Sequence, residues 1–294
     1  MGANSRLRRI AKRILRPLAG DFVYSRLQSL AMAWDIRRGT WTEPELNLLP
    51  HAVRAGETAL DIGANFGVYC FHLSRAVGPK GKVFAFEPIP FTFSVLSGVR
   101  RLLNLRNVQL FPYGCGNSPG TVVFSVPLQE SGGISAGQAH IGTRNDDHAG
   151  REKQVRWNST REITATVIRL DDFLTGFQLG ELTLIKCDTE GAEFMVFEGA
   201  SALLDKFLPT VILEINPWFL EGFGVSLSEL LGLFQRRGYE MFSFKEGAAG
   251  RLKPVTPDEV VEDNYVFIHP RHKGRFDVFF SKQPSTVAGL SSRA

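Results

Sequence analysis

Two rhythms alternate along this chain. Short runs of consecutive apolar residues, rich in β-branched and aromatic side chains, occupy Thr58–Ile62, Lys82–Phe86, Val108–Phe111, Leu182–Cys187 and Thr210–Leu213. Between them, apolar positions recur every three or four residues. They do so from Gly67 or Val68 to Val77, before the Gly78–Pro79 stop, in Phe91–Leu103, where Val95, Leu96, Val99, Leu102 and Leu103 share one side, and in Ser226–Arg237, closed by Gly238. Runs buried on both faces that alternate with amphipathic helices are the mark of a largely parallel sheet covered by helices. The pattern therefore predicts an α/β, Rossmann-like doubly wound fold. Tyr239–Phe244 and Tyr265–His269 are expected to be its last two strands. Thr42, with Glu45 three residues on, has the spacing of a capping box and predicts a helix start, which Pro50 kinks or restarts.

The best-marked unit is Thr58–Pro88. Its first strand ends on Asp61, the turn reads DxGxNxG through Gly63, Asn65 and Gly67, and its second strand ends on Glu87. Glycines let a turn adopt tight dihedrals and let a ligand lie against backbone at a helix N-terminus. Glu87 stands where a dinucleotide-binding fold places the acid that meets ribose hydroxyls. A dehydrogenase would carry GxGxxG, whereas here the glycines are four apart and an acid precedes them. An acid at that point suits a ligand that is cationic and lacks pyrophosphate, and S-adenosyl-L-methionine fits that description. Asp188 and Glu214 also end apolar runs, so four acids fall at the strand ends, the edge at which open α/β sheets bind ligands. TEGAE, with Glu190, Gly191 and Glu193, opens the next helix, whose macrodipole favours acids in the first turn.

The regularity fails between residues 127 and 160, which are polar and glycine-rich. A loop of that length is expected to be a partly mobile, substrate-facing insertion, with disorder without function as its competitor. Residues 1–40 form a basic helical extension. Six of the 34 basic residues and no acid lie in residues 1–20, with Leu7, Ile10, Ile14, Leu15 and Leu18 at helical spacing. Peripheral contact of residues 6–18 with an anionic membrane, a transit-like leader and a solvated helix packed on the body all fit that pattern. The remaining 28 basic residues face 30 acids, so the net charge of +4 belongs to the extension and the body is not a nucleic-acid binder. The catalytic-size body is taken as 41–280, and 281–294 as a tail expected to be disordered. Three scattered cysteines without CxxC suggest neither a disulfide framework nor a zinc site, which points to a reducing, cytoplasmic setting.

DIGANFG with VFAFEP, followed by LIKCDTEGAEFMVFEGA and VILEINP, resembles the FkbM-type methyltransferases, a branch of the class I S-adenosylmethionine-dependent enzymes, over roughly Glu43 to Tyr265. The resemblance implies a seven-stranded, mostly parallel sheet with one antiparallel strand, the class I methyltransferase fold. It implies cofactor contacts from Asp61, Gly63, Asn65, Gly67 and Glu87, and Asp188 facing the transferred methyl group. It also implies O-methylation of a sugar or secondary metabolite, a small-molecule or glycan acceptor. The acid that often follows the third strand is missing at Tyr113–Gly116. A hydroxyl acceptor benefits from a general base, and Asp188 and Glu190 are the candidates, with Glu193 and Glu214 behind them. Mg²⁺ on Asp188, Glu190 and Glu214 is a minority alternative, as is a base from His140 or His148. A noncatalytic binding module and a nicotinamide dehydrogenase are the competing functions.

Overall fold

The computed structural model describes residues 6–127, 140–141, 160–245 and 250–280. The chain opens with α1 (Arg6–Arg38), broken at Gly20 (φ 71°, ψ 163°). A 3₁₀ turn, Pro44–Leu48, and α2 (Leu49–Ala52) lead into β1 (Thr58–Ile62), α3 (Val68–Val77), β2 (Lys82–Phe86), α4 (Pro90–Leu102) and β3 (Val108–Phe111). Then come β4 (Gly114–Gly116), β5 (Gly120–Pro127), β6 (His140–Ile141), β7 (Thr160–Arg169), α5 (Leu170–Phe173) and β8 (Leu182–Cys187). The remainder is α6 (Glu193–Glu198), α7 (Ser201–Phe207), β9 (Thr210–Ile215), α8 (Pro217–Gly222), α9 (Leu227–Gln235), β10 (Glu240–Lys245), β11 (Arg251–Pro254), β12 (Asp263–Ile268), α10 (Pro270–Lys273) and α11 (Asp277–Phe280).

The main sheet has the order β11-β10-β12-β9-β8-β1-β2-β3. Strands β3, β2, β1, β8 and β9 are parallel, and β12 runs against β9. Because β10 opposes β12, it regains the parallel sense, and β11 opposes β10 in turn. The seven expected strands are thus present, extended by an eighth at the edge. Only Leu252 of β11 is buried, so that strand lacks the apolar run by which the others are legible.

Alternation along the strands divides the core in two. Ala59, Val83, Ala85, Leu184 and Ile212 meet α2, α3 and α4 on one face, whereas Leu60, Ile62, Phe84, Phe86, Ile185 and Leu213 meet α6, α7 and α9 on the other. Burial of such apolar surface at about 25 cal/mol per Å² is the main force holding the layers together. The second half of α1 packs on α4, where Ser29 Oγ donates to the Val95 carbonyl at 3.1 Å.

After β3, Gly114–Gly116 forms β4 and joins a second sheet of order β4-β7-β5-β6. Here β5 and β7 pair antiparallel from Gly120↔Val167 to Pro127↔Thr160. Ile89, Phe124 and Ala165 form its small core, with Val122 and Ile163 packed against it. The rest of the 127–160 insertion, His148 included, and the 281–294 tail lie outside the described residues, as do the side chains of residues 6–18. The expected Thr42–Glu45 capping box is not formed. Pro44 takes the first helical position, Glu43 becomes the cap without a side-chain cap bond, and Glu45 is buried.

Candidate functional site

The turn after β1 is built by left-handed residues: Gly63 (φ 76°), Asn65 (φ 47°) and Gly67 (φ 91°). It is pinned to β2, since the amides of Gly63 and Ala64 both donate to the Phe86 carbonyl, at 3.0 and 2.9 Å. Gly63 also lies against the loop after β8, so that a Cβ there would fall on the carbonyl oxygen of Asp188. Only glycine satisfies both demands at position 63. Asp188 returns the contact by donating its amide to the Ile62 carbonyl at 3.0 Å. Gly67 has a different task, capping α3 where a Cβ would press on Leu96 Cδ1 at 2.7 Å.

Glu87, at the end of β2, is 5% exposed. Its Oε2 accepts from the Asn65 amide at 3.0 Å and its Oε1 from the Ile89 amide at 2.9 Å. Burial pushes this carboxyl up to about 7, with the two amides opposing the rise and the charges of Asp188 and Asp61 adding to it. Each carboxylate oxygen keeps a lone pair beyond its amide partner. Next to it, Asn65 Oδ1 is buried with no hydrogen-bond partner among the described residues. An orphaned buried acceptor carries a desolvation cost that a ligand's donor would remove.

Across the sheet edge, the loop after β8 is held by Glu193. Its Oε1 accepts from the amides of Thr189 and Gly191 and from the Thr189 hydroxyl, at 3.0, 3.1 and 3.0 Å. Glu193 is therefore a clamp inside α6 rather than a group facing a ligand. The clamp lets Glu190 take a left-handed conformation (φ 53°) ahead of Gly191 (φ 105°). The two loops bound a cavity of about 400 Å³. Gly63, Asn65, Glu87, Asp188 and Glu190 line it, and Tyr113–Thr121, Val122, Phe124 and Val167 form the wall contributed by β4, β5 and β7. That size lies within the roughly 300–1,000 Å³ of pockets that take a drug-sized molecule.

Five of the seven expected site residues thus share one cavity, and Asp61 and Gly67 do not line it. Asp61 pairs in register with Ala85, and alternation turns its side chain toward α3, while neighbouring Ile62 lines the cavity. There Asp61 is 2% exposed and accepts from the Cys70 thiol at 3.0 Å. Burial pushes it up to about 6, against the lowering effects of that thiol and of Lys186.

Lys186, in register with Asp61, is the centre that sequence patterning missed. It is 2% exposed, donates to Asn264 Oδ1 at 3.0 Å, and has Asp188 Oδ2 at 4.0 Å and the Tyr69 ring centroid at 5.1 Å. Burial acts to lower it, but the charges of Asp188, Glu214 and Glu43 hold it above the usual lysine value. Glu214, in register with Asn264, is raised by burial and by its hydrogen bond to Asp188. Glu43 accepts from the Tyr69 hydroxyl at 2.7 Å, and burial pushes neighbouring Glu45 up to about 7. The available signal was a lone cation inside the apolar run LTLIKC, since buried lysines require partners.

Among the described residues, no group of three His, Cys, Asp or Glu side chains has the arrangement to hold a metal ion. No described helix is long and apolar enough to cross a membrane.

Residues 61–241 match the model of the methyltransferase FkbM domain. Methyltransferase 1 of Beauveria bassiana is 28% identical over 165 residues, 53% of this chain and 63% of that protein. The hexuronic acid methyltransferase AglP of Haloferax volcanii is 25% identical over 190 residues, 65% of this chain and 69% of that protein. The chain thus spans less than two thirds of the length of the Beauveria relative. In three dimensions, the crystal structure of methyltransferase FkbM from Methylobacillus flagellatus superposes with a TM-score of 0.43 at 16% identity, covering 84% of this chain and 58% of that one. With the family model matching well over half of its residues, across both strand-end loops of the cavity, the chain belongs to the methyltransferase FkbM domain family.

Proposed function

We propose that this protein transfers a methyl group from S-adenosylmethionine to a hydroxyl of a sugar or other small metabolite. The observation that carries the reading is the meeting of two loops in one cavity: Gly63, Asn65 and Glu87 on one side, Asp188 and Glu190 on the other. The residues present fit the cofactor. A surface without a Cβ at Gly63, an orphaned acceptor on Asn65 and a fixed carboxylate on Glu87 suit its backbone-hugging methionine part, its amino group and its vicinal ribose hydroxyls in turn. Asn117, whose side chain donates to Glu198 at 3.0 Å, stands in the β4 wall where no acid is available for adenine.

When bound, S-adenosylmethionine supplies an electrophilic methyl carbon and a thioether leaving group. The protein's own task is alignment of the acceptor oxygen with that carbon, which is worth up to about 7–11 kcal/mol. Asp188 serves as the general base, taking the hydroxyl proton onto its carboxylate, a contribution of roughly 10²–10⁴-fold. Glu190 orients the acceptor beside it. Lys186 and Glu214 are positioning residues that fix the Asp188 carboxylate from behind, the lysine at 4.0 Å. Glu193 holds the loop on which both candidates sit.

The sugar class draws support from the Haloferax relative, which is named for a hexuronic acid. The test is transfer of a labelled methyl group into pools of sugars and small metabolites, with the product identified by mass. Calorimetry with S-adenosylhomocysteine is the parallel readout. Absence of binding, or equal binding by Glu87→Ala, refutes the cofactor reading. Binding without transfer to any pool makes the protein a noncatalytic module.

A further inference from the structure

The second half of α1 presents two unlike faces. Inward, Tyr24, Ser25, Ser29, Met32 and Ile36 are buried. The Tyr24 ring stacks on Phe91 at 5.7 Å, and Ser29 Oγ donates to the carbonyls of Ser25 and Val95. Outward, Phe22, Leu27, Leu30 and Trp34 recur at helical spacing with exposures of 67%, 42%, 55% and 55%. A surface this apolar is not the solvated side of an ordinary helix, which is polar.

The charges on the outward face select what covers it. Arg26 stacks its guanidinium 4.2 Å from the Phe22 ring centroid, and Arg38 does the same over Trp34 at 4.2 Å. From Phe22 to Thr42 the exposed residues include Arg26, Arg37 and Arg38 and no carboxylate, because Asp35 is buried. Six further basic residues precede Asp21, the first acid of the sequence. A second copy of the chain docked here would bring arginines against arginines. An anionic lipid surface complements them, takes the apolar side chains into its acyl boundary and accommodates Trp34 at headgroup level. Arginines flanking an apolar stripe also place their stems along it while the guanidinium groups reach phosphate.

We propose that the outward face of α1, Phe22 to Trp34 with Arg26 and Arg38, seats this protein on an anionic membrane surface. The proposal is independent of the methyl-transfer reading. It differs from a purely electrostatic tail contact, because the seat is a helix face fixed to the domain through α4, and a protein beginning at Asp21 retains it.

The test is flotation of the full-length protein with vesicles of phosphatidylcholine alone and of phosphatidylcholine mixed with phosphatidylserine. The wild type is expected to float with the anionic vesicles, to float far less with the neutral ones, and to lose binding as salt rises. Leu30→Glu with Trp34→Glu is expected to reduce partitioning at least about tenfold, and Arg26→Gln with Arg38→Gln about fivefold per arginine. Val261→Glu, at another exposed apolar position (62%), leaves it unchanged. These positions are on the surface, and unchanged circular dichroism and melting confirm that each variant is folded. No flotation of the wild type, equal flotation on both vesicle types, or equal flotation of the Leu30→Glu/Trp34→Glu variant overturns the proposal. A lipid-free dimer that the same double substitution splits also overturns it, by assigning the face to a second copy.

Discussion

Replacing Glu87 by glutamine separates what this residue does for binding from what it costs the fold. Its carboxyl is raised from 4.5 to about 7, and burial is the leading cause. A carboxyl raised in the folded state binds its proton more tightly there than in the unfolded chain. Its stabilising contribution is therefore complete below about pH 4.5 and lost as the pH rises through about 7. The loss amounts to about 3 kcal/mol over that window. Glutamine does not titrate, so the variant lacks this component. It carries a constant penalty instead, because both Glu87 oxygens accept backbone amides and glutamine offers one oxygen. A buried amide left without its acceptor costs about 1–3 kcal/mol. Urea unfolding of both proteins from pH 4.5 to pH 8 is the assay. Glu87→Gln is expected to be the less stable protein at the acid end, and the difference is expected to move in its favour by about 3 kcal/mol toward the alkaline end. Glu45 titrates in the same region but is common to both proteins and cancels in the difference, while the charge of Asp61 is one of the causes that raise Glu87 and so forms part of it. A difference that stays flat across the range refutes the reasoning. S-adenosylhomocysteine affinity is expected to fall about ten- to a hundredfold at neutral pH, as for a hydrogen bond to a charged group.

Gly63→Ala forces a Cβ onto the Asp188 carbonyl at φ 76°, so melting is expected to fall by more than the roughly 1 kcal/mol of backbone strain alone, with cofactor binding lost. Wild-type binding by the variant would refute the close approach of the two loops. Asp188→Asn is expected to lower the methyl-transfer rate by roughly 10²–10⁴-fold while S-adenosylhomocysteine affinity changes little. A matching loss of affinity would make Asp188 a binding residue. Lys186→Met removes a buried cation from among acidic groups and is expected to destabilise by about 3–5 kcal/mol, an effect that lessens as the pH falls through about 6 and Asp61 protonates, Glu214 being raised far enough to be protonated already at neutral pH. A pH-independent loss would assign Lys186 to packing alone.

The bounds of β1, β2, β3 and β8 were legible to the residue, because each is a short, mostly apolar run with turn formers near its ends; β1, β2 and β8 are almost wholly buried, whereas β3, at the sheet edge, buries only Val108. The cavity loops were legible for the same reason: glycine and an acid at a strand end have few other uses. What a single sequence hid was pairing. Glu162–Ile168 alternates like a strand, yet nothing local says that Thr164 opposes Val123 across the insertion. Direction was hidden too. Asp61 lies inside β1, paired with Ala85 and enclosed under α3, whereas Glu87 lies one residue beyond β2, where the chain has left the ladder and its carboxylate meets the cavity. Lys186 escaped because a charge inside an apolar run is explained only by partners from β1, β9 and β12, which no spacing reveals.

The small sheet of β4, β5, β6 and β7 walls the cavity with Thr121, Val122, Phe124 and Val167, and its own core of Ile89, Phe124 and Ala165 is separate from the two large cores, to which the sheet is tied through Cys115 of β4 and Ile168 of β7. Substitutions at Thr121 and Val167 therefore change the shape of the chamber without disturbing the layers that carry Glu87 and Asp188. The wall is thus anchored to the main sheet on its β4 side and independent of it along β5, so the chamber can be reshaped from the β5 side while the loops that carry Glu87 and Asp188 keep their support.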